Sequence, residues 1–281
     1  MDPRLQRRVQ RYGWDKASAW YETFWQDQLR PAQDLLLEMA GLRPGEIVLD
    51  VACGTGLVSR DALARVGSEG RVLGTDISEK MVEVAAASAA DLGVGSGAGA
   101  GLGAGCAQFM RMDAEELSLE NESFDVALCA LGLMYMPDPR KALEEMHRVL
   151  KPGGRVVAAV WGQRDRCGWA DIFEIVDRHV ASEVCPMFFS LGNPDMLELH
   201  FTAVGFTEVV VRRISTVLHY ADAREALGAA FEGGPVALAY HKFSDAVKEE
   251  VHADYLLSIE SFRRGGGYAV PGEFVVASGR K

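Results

Sequence analysis

The stretch Asp50-Val51-Ala52-Cys53-Gly54-Thr55-Gly56 constrains the fold of this chain more than any other. It follows Glu46-Ile47-Val48-Leu49, an apolar run that reads as a strand, and leads into Leu57-Val58-Ser59-Arg60-Asp61-Ala62-Leu63, which reads as a helix. Two glycines at a strand-to-helix turn let the backbone approach a ligand without a Cβ in the way. The free amides of the helix start then face that ligand. The pattern predicts a pocket of nucleotide type inside an α/β fold.

The flanking sequence extends the alternation. Strands are expected at 47–51, 71–75, 109–112, 124–129 and 155–161, with helices at 31–40, 57–66, 79–92 and 139–150 between or before them. Ser78 and Asp138 stand where helix caps belong, Pro31 and Pro139 at first turns, and Gly41 past a helix end. Lys151-Pro152-Gly153-Gly154 reads as a helix stop and turn. Such alternation predicts a parallel sheet with helices on both faces. Beyond 161 the rhythm breaks: helices are expected at 169–180 and 194–204 (capped by Asn193), then a long strand at 207–220, helical sequence over 223–262 and a short strand at 274–277. The two last strands read as an antiparallel hairpin closing the sheet around a helical insertion. Residues 93–105, nearly all glycine and alanine, read as a disordered surface insertion.

The chain has 281 residues, 48% of them hydrophobic and 25% charged, as in ordinary globular proteins. With 29 Lys+Arg against 40 Asp+Glu the net charge is −11, which disfavours a nucleic-acid partner. Arg4, Arg7, Arg8 and Arg11 form the best basic patch and read as the solvated face of an N-terminal helix. The five scattered cysteines make no CxxC pair, and together with the absence of a signal peptide they predict free thiols and a cytoplasmic protein. No apolar stretch approaches the roughly 20 residues of a membrane span. No metal site is expected.

The glycine pattern also narrows the ligand. A dinucleotide fingerprint needs a third glycine three positions beyond Gly56, where this chain has Ser59, and no Gly-Lys-Ser/Thr follows for a phosphate loop. Asp50, Asp76 and Asp113 instead end successive strands, at the crevice where open parallel sheets bind ligands. Three acids there repel a pyrophosphate and suit a cationic ligand carrying a ribose.

At these residues the chain resembles the class I S-adenosylmethionine-dependent methyltransferases. The resemblance runs through Val48–Gly56, Gly74-Thr75-Asp76-Ile77-Ser78, Met112-Asp113-Ala114-Glu115-Glu116-Leu117, Ser123-Phe124-Asp125-Val126 and the segment from Leu143 to Gly154, with the ubiquinone/menaquinone-biosynthesis group and its small-molecule relatives as the closest flavour. It implies a Rossmann-like, mostly parallel seven-stranded sheet. It also implies S-adenosylmethionine as cofactor, with Asp50, Ala52, Gly54 and Gly56 around the methionine part, Asp76 on the ribose, and Cys53 and Met81 also among the cofactor-binding residues. Ile77 would cover one adenine face, Asp113 and the Ala114 amide would meet its edge, Cys129 and Ala130 would lie at the ammonium, and Tyr21 would close over the cofactor. Cys53 departs from the small residue that relatives commonly carry there.

The corresponding organisation is an N-terminal helical lid over 1–44, a cofactor-binding core over 45–220, a helical insertion over 221–264 and a final core strand over 265–281. The acceptor is expected to be a small hydrophobic or aromatic molecule lying against Trp25, Tyr135 and Trp161. Sequence shows no catalytic motif, and none is required, because a sulfonium methyl is already electrophilic and alignment does most of the work. His179, on the apolar side of the helix expected at 169–180, is the one weak candidate for a base. A catalytically degenerate binding module, an arsenite-type or protein methyltransferase and an NAD-dependent dehydrogenase are the alternatives. A homodimer is left open.

Overall fold

A computed structural model describes residues 2–91, 105–181, 185 and 187–281. The segment expected as a glycine-rich insertion lies outside the described residues except for Gly105. Two long helices, α1 (Pro3–Ala17) and α2 (Tyr21–Ala40), precede the sheet. Then β1 (Ile47–Val51), α3 (Leu57–Val66), β2 (Arg71–Asp76), α4 (Glu79–Asp91), β3 (Cys106–Arg111), β4 (Phe124–Ala130), α5 (Pro139–Val149) and β5 (Leu150–Trp161) alternate as strand and helix. The remainder holds α6 (Ile172–Asp177), α7 (Met196–Val204), β6 (Thr207–Tyr220), α8 (Ala223–Leu227), α9 (Ala237–Tyr240), α10 (Asp245–Ser258), the two-residue β7 (Arg263–Arg264) and β8 (Gly267–Arg280).

The strands form one sheet in the order β3-β2-β1-β4-β5-β8-β6, with β7 paired to β8. The first five are parallel to one another, and β8 runs antiparallel to both β5 and β6. The apolar residues of β1, β4 and β5 are almost wholly buried, as continuous hydrophobic strands covered on both faces must be. Strand order reverses between β1 and β4, and the carboxyl ends of the strands open a crevice at that switch point.

Two of the three predicted caps are observed. Ser78 Oγ accepts from the Met81 amide at 3.1 Å and Asp138 Oδ1 accepts from the Lys141 amide at 3.1 Å. Gly41 ends α2 in the left-handed region at φ 52°. Pro31, expected at a first turn, lies inside α2, which starts ten residues earlier at Tyr21. Tertiary packing carries that helix: Trp25, Leu29, Ala32 and Leu36 lie buried along it.

Five further expectations are corrected. β3 covers Cys106–Arg111, because its register is set by pairing with all of β2, from Arg71 opposite Cys106 to Asp76 opposite Arg111. The Lys-Pro-Gly-Gly turn is absorbed into β5 as an irregularity between the pairs Phe124–Leu150 and Val126–Arg155, with Gly153 at φ 76°. The helix expected at 169–180 shrinks to α6, and α7 is entered through Asp195 at φ 63° without a side-chain cap from Asn193. β8 is 14 residues long where a short strand was expected, since hydrogen bonds to β6 run from Tyr220–Tyr268 to Thr207–Arg280 across Pro271 and Gly272. Among the described residues, no helix is long and apolar enough to cross a membrane.

Candidate cofactor and acceptor site

The turn after β1 is built from positive-φ residues: Ala52 at 56°, Gly54 at 55° and Gly56 at 84°. Ala52 is a non-glycine residue in that region, so the backbone is strained there and held by its surroundings. Asp76, at the end of β2, supplies the hold. Its Oδ2 accepts from the Gly54 amide at 3.0 Å and its Oδ1 from the Ser78 amide at 2.8 Å. Asp50 is 1% exposed, and its Oδ2 accepts from Ser59 Oγ at 2.5 Å. Ser59 therefore uses the place of a third glycine to hold the strand-end acid. The other Asp50 oxygen, Oδ1, is buried and has no partner among the described residues.

Burial pushes Asp50 up to about 7 and Asp76 up to about 6, their mutual repulsion adding to the Asp50 shift. Neither carries an ion pair among the described residues. Two buried acids with no counter-ion, one with an unpartnered oxygen, suit a ligand that brings positive charge and hydrogen-bond donors. The residues thus fit an adenosyl sulfonium cofactor.

Around this turn lies a cavity of about 1010 Å³ including its open mouth, at the upper end of the roughly 300–1,000 Å³ typical of small-molecule sites. Of the residues expected at the cofactor, Tyr21, Ala52, Gly54, Asp76, Ile77, Met81, Asp113, Ala114 and Ala130 line it. So do Trp25, Tyr135 and Trp161, expected at the acceptor. Asp50, Cys53, Gly56 and Cys129 stand behind the lining. Cys53 packs beneath β2, its Sγ 3.0 Å from where a Cβ on Gly74 would stand, and burial raises its thiol. Gly56 faces Ala85 and Phe109, so its lack of a side chain serves helix packing as well as the turn. Cys129 is fully buried and pushed up to about 12 by that burial.

His179 does not reach the cavity. The helix expected to carry it stops at Asp177, and its Nε2 lies 3.9 Å from Glu250 Oε1, with the ring 5.8 Å from that of Phe243. Among the described lining residues there is no histidine, lysine or cysteine.

Several lining residues carry no sequence signal that singles them out alone. Arg7, Gln10 and Trp14 line the cavity from α1. Arg7, expected in solvent, forms an ion pair through Nε with Asp113 Oδ2 at 2.9 Å and another through Nη2 with Glu115. Asp15 on the same helix accepts from Ser78 Oγ at 2.6 Å. The spacing 7, 10, 14 puts the three lining residues on one helical face, a signal available in the sequence. Leu131, Gly132 and Met134 after β4, Trp169 after β5, and Gly234 and Pro235 from the insertion complete the wall. The closeness of Trp169 to the end of β5 hints at its place, whereas nothing in the sequence directs Gly234 and Pro235 towards β1.

Gly132 allows the tips of β1 and β4 to meet. A Cβ there would lie 2.5 Å from Ala52 Cβ and 3.0 Å from Cys129 Sγ. Gly132→Ala is therefore expected to displace the Ala52 turn and destabilise the fold by about 1–3 kcal/mol, the usual cost of overpacking. Chemical denaturation measures it, and an unchanged midpoint would show that the turn yields freely.

A family profile described as a methyltransferase domain matches residues 49–158. A ubiquinone/menaquinone biosynthesis C-methyltransferase (UbiE) of Hydrogenovibrio crunogenus is 37% identical over 121 residues, 43% of this chain and 44% of that protein. A demethylmenaquinone methyltransferase of Staphylococcus epidermidis is 30% identical over 191 residues, 63% of this chain and 74% of its own length. This chain thus spans less than half of the former relative and about three quarters of the latter. Among solved structures, a putative methyltransferase of Bacillus halodurans superposes with a TM-score of 0.59 at 19% identity, over 89% of this chain and 98% of that one. A phosphoethanolamine N-methyltransferase of Haemonchus contortus, in complex with phosphomonomethylethanolamine and S-adenosylhomocysteine, superposes with a TM-score of 0.60 at 18% identity, over 95% of this chain and 57% of its own. At such identities the two structures speak for the fold, and the Staphylococcus relative speaks for the family. The chain belongs to the class I S-adenosylmethionine-dependent methyltransferases.

Proposed function

We propose that this chain transfers the methyl group of S-adenosylmethionine to a small, flat, apolar acceptor. One observation carries the reading: a single cavity joins an acidic half, at Ala52, Gly54, Asp76 and Asp113, to an aromatic half, at Trp25, Tyr135, Trp161 and Trp169. In that reading Asp76 takes the ribose hydroxyls, Ile77 and Met81 cover the adenine, and Asp113 with the Ala114 amide meets its edge. Asp50 acts from behind on the amino-acid part, with the carbonyls of Cys129 and Ala130 towards the ammonium. The cofactor supplies the electrophilic methyl. The protein supplies alignment and a dry surround.

Helices α1 and α2 form the lid. Arg7 shares Asp113 with the cofactor, and Tyr21 lies over Gly54, 3.9 Å from where its Cβ would be. Because the lining holds no histidine, lysine or cysteine among the described residues, the reading favours an acceptor that loses its proton readily over one that needs a strong base. The names of the quinone-methylating relatives speak for a ring-shaped acceptor, and so do the aromatic walls. An arsenite-type reaction is disfavoured, since burial holds the Cys129, Cys167 and Cys185 thiols up at about 12 and thiolates are the reactive species.

Calorimetry with S-adenosylhomocysteine tests the cofactor. The expected result is micromolar binding with no affinity for NAD. Heat from NAD and none from S-adenosylhomocysteine would sink the reading. A panel of phenols, quinols and amines with methyl-labelled cofactor then identifies the acceptor atom.

A further inference from the structure

Arg7 bridges two carboxylates that have different needs. Glu115 is 1% exposed, and among the described residues Arg7 is the one cation paired with it, through Nη2 to Oε2. The other oxygen, Oε1, accepts from the Asp138 amide at 3.1 Å, so Glu115 is fixed inside the protein. Asp113 is 33% exposed and lines the cavity. Its Oδ1 accepts from the Glu115 amide at 2.9 Å, and Arg7 Nε stands 2.9 Å from its Oδ2. The guanidinium thus carries the fixed position of a buried acid over to a cavity-facing one. Without it the two carboxylates would repel each other with no cation between them. Asp113 is the freer of the two, and it is the one that would turn away. Helix α1 has other anchors, since Asp15 accepts from Ser78 Oγ at 2.6 Å and Gln6 Nε2 donates to the Tyr135 carbonyl at 3.5 Å.

We infer that Arg7 is a positioning residue: anchored on Glu115, it fixes Asp113 in the orientation that accepts the adenine amino group, and so sets the preference of the cofactor site for a 6-aminopurine. This rests on the reading that puts Asp113 at the adenine edge, and adds to it a group from α1, outside the residues that the family profile matches. Arg7 acts through Asp113, because a guanidinium only donates and cannot itself receive an amino group. Its fork spans two carboxylates, whereas a lysine ammonium is a point charge that serves one. In Arg7→Lys the ammonium stays with Glu115, whose burial makes an unpaired charge costly, and Asp113 is released. Anchoring and positioning separate in that variant.

Two ligands that differ in one group test this: S-adenosylhomocysteine and its 6-deamino analogue, in which hydrogen replaces the adenine amino group. Calorimetry gives both affinities for the wild type, Arg7→Lys, Arg7→Met and Asp113→Ala, with the melting temperature of each measured alongside. The wild type is expected to prefer S-adenosylhomocysteine by about ten- to a hundredfold, the worth of one hydrogen bond to a charged group. Asp113→Ala should lose that preference. Arg7→Lys should melt close to the wild type yet lose most of the preference, and Arg7→Met should lose it while also melting lower.

A role in stability alone would weaken both ligands equally and leave the preference unchanged, since they share the ribose and homocysteine parts. Retention of the full preference by either Arg7 variant would therefore overturn the inference. Should Arg7→Met not fold, Arg7→Lys decides alone. Equal binding of the two ligands by the wild type would instead take Asp113 away from the adenine, and absence of S-adenosylhomocysteine binding would count against the cofactor reading itself. Either of those results removes the role of Arg7 as well.

Discussion

Asp76→Ala is expected to abolish S-adenosylhomocysteine binding, with an affinity loss of a hundredfold or more. The carboxylate has two duties. In the proposed reading it takes two ribose hydroxyls, and charge-assisted hydrogen bonds of that kind contribute about 1.5–3 kcal/mol each. It also accepts from the amides of Gly54 and Ser78, at 3.0 and 2.8 Å, and so ties the turn after β1 to the start of α4. Alanine removes both at once. Asp76→Asn divides them: the amide oxygen keeps one acceptor for the backbone, while the nitrogen opposes a donor that the carboxylate used to receive. The asparagine variant is expected to fold near wild-type stability yet bind at least tenfold more weakly in calorimetry. Full binding by the alanine variant would remove Asp76 from the cofactor site.

The buried acids also make stability fall as pH rises. Asp50 titrates at about 7 in the folded protein, against an ordinary value of 3.8, because burial disfavours its charged form. Between about pH 4 and 7 the folded state therefore keeps a proton that the unfolded state has released, and the linkage slope is negative. The penalty is absent below about pH 4 and complete above about pH 7. A rise of that size corresponds to at most roughly 4 kcal/mol. Asp76, raised to about 6 by its own burial, acts in the same direction over a window that closes earlier.

Asp50→Asn isolates the larger contribution. Groups that do not face Asp50 titrate equally in both proteins, and Asp76, relieved of the Asp50 charge, contributes in the same direction, so the melting temperature of the variant minus that of the wild type should grow between pH 5 and pH 8, by several degrees at the usual few degrees per kcal/mol. The asparagine amide oxygen still accepts from Ser59 Oγ, as the carboxylate does. Saturating S-adenosylmethionine, whose positive charge favours the ionised carboxylates, should flatten the slope. A difference that stays level with pH would show that Asp50 is ionised throughout.

The parts of the site that could be read from the sequence are those in which one residue type has one backbone role. Gly54 and Gly56 are needed where φ is positive, Asp76 ends a strand beside them, and Ser78 and Asp138 cap helices within three residues of themselves. Each signal is local, and the structure reproduces each. Arg7 shows the opposite case. On α1 it looks like any solvated arginine, and only the docking of that helix brings it to Asp113 and Glu115, more than 100 positions away. His179 failed for a related reason: its apolar spacing implied a continuous helix, but α6 ends early and the ring turns to Glu250 and Phe243. The length of β8 was hidden because Pro271 and Gly272 break the apolar pattern, while pairing with β6 fixes the strand.

By itself the sequence determined an α/β sheet, the strand-end acids and the class of cofactor they suit, since these follow from turn geometry and charge over short stretches. Only the tertiary structure decided which apolar residues share one cavity with those acids. Trp25, Tyr135, Trp161 with Trp169, and Pro235 come from four separate segments, and their meeting depends on the packing of α2, the ends of β4 and β5 and the insertion. Packing is a sum of many weak, non-directional contacts, so no single residue in that wall announces its neighbours.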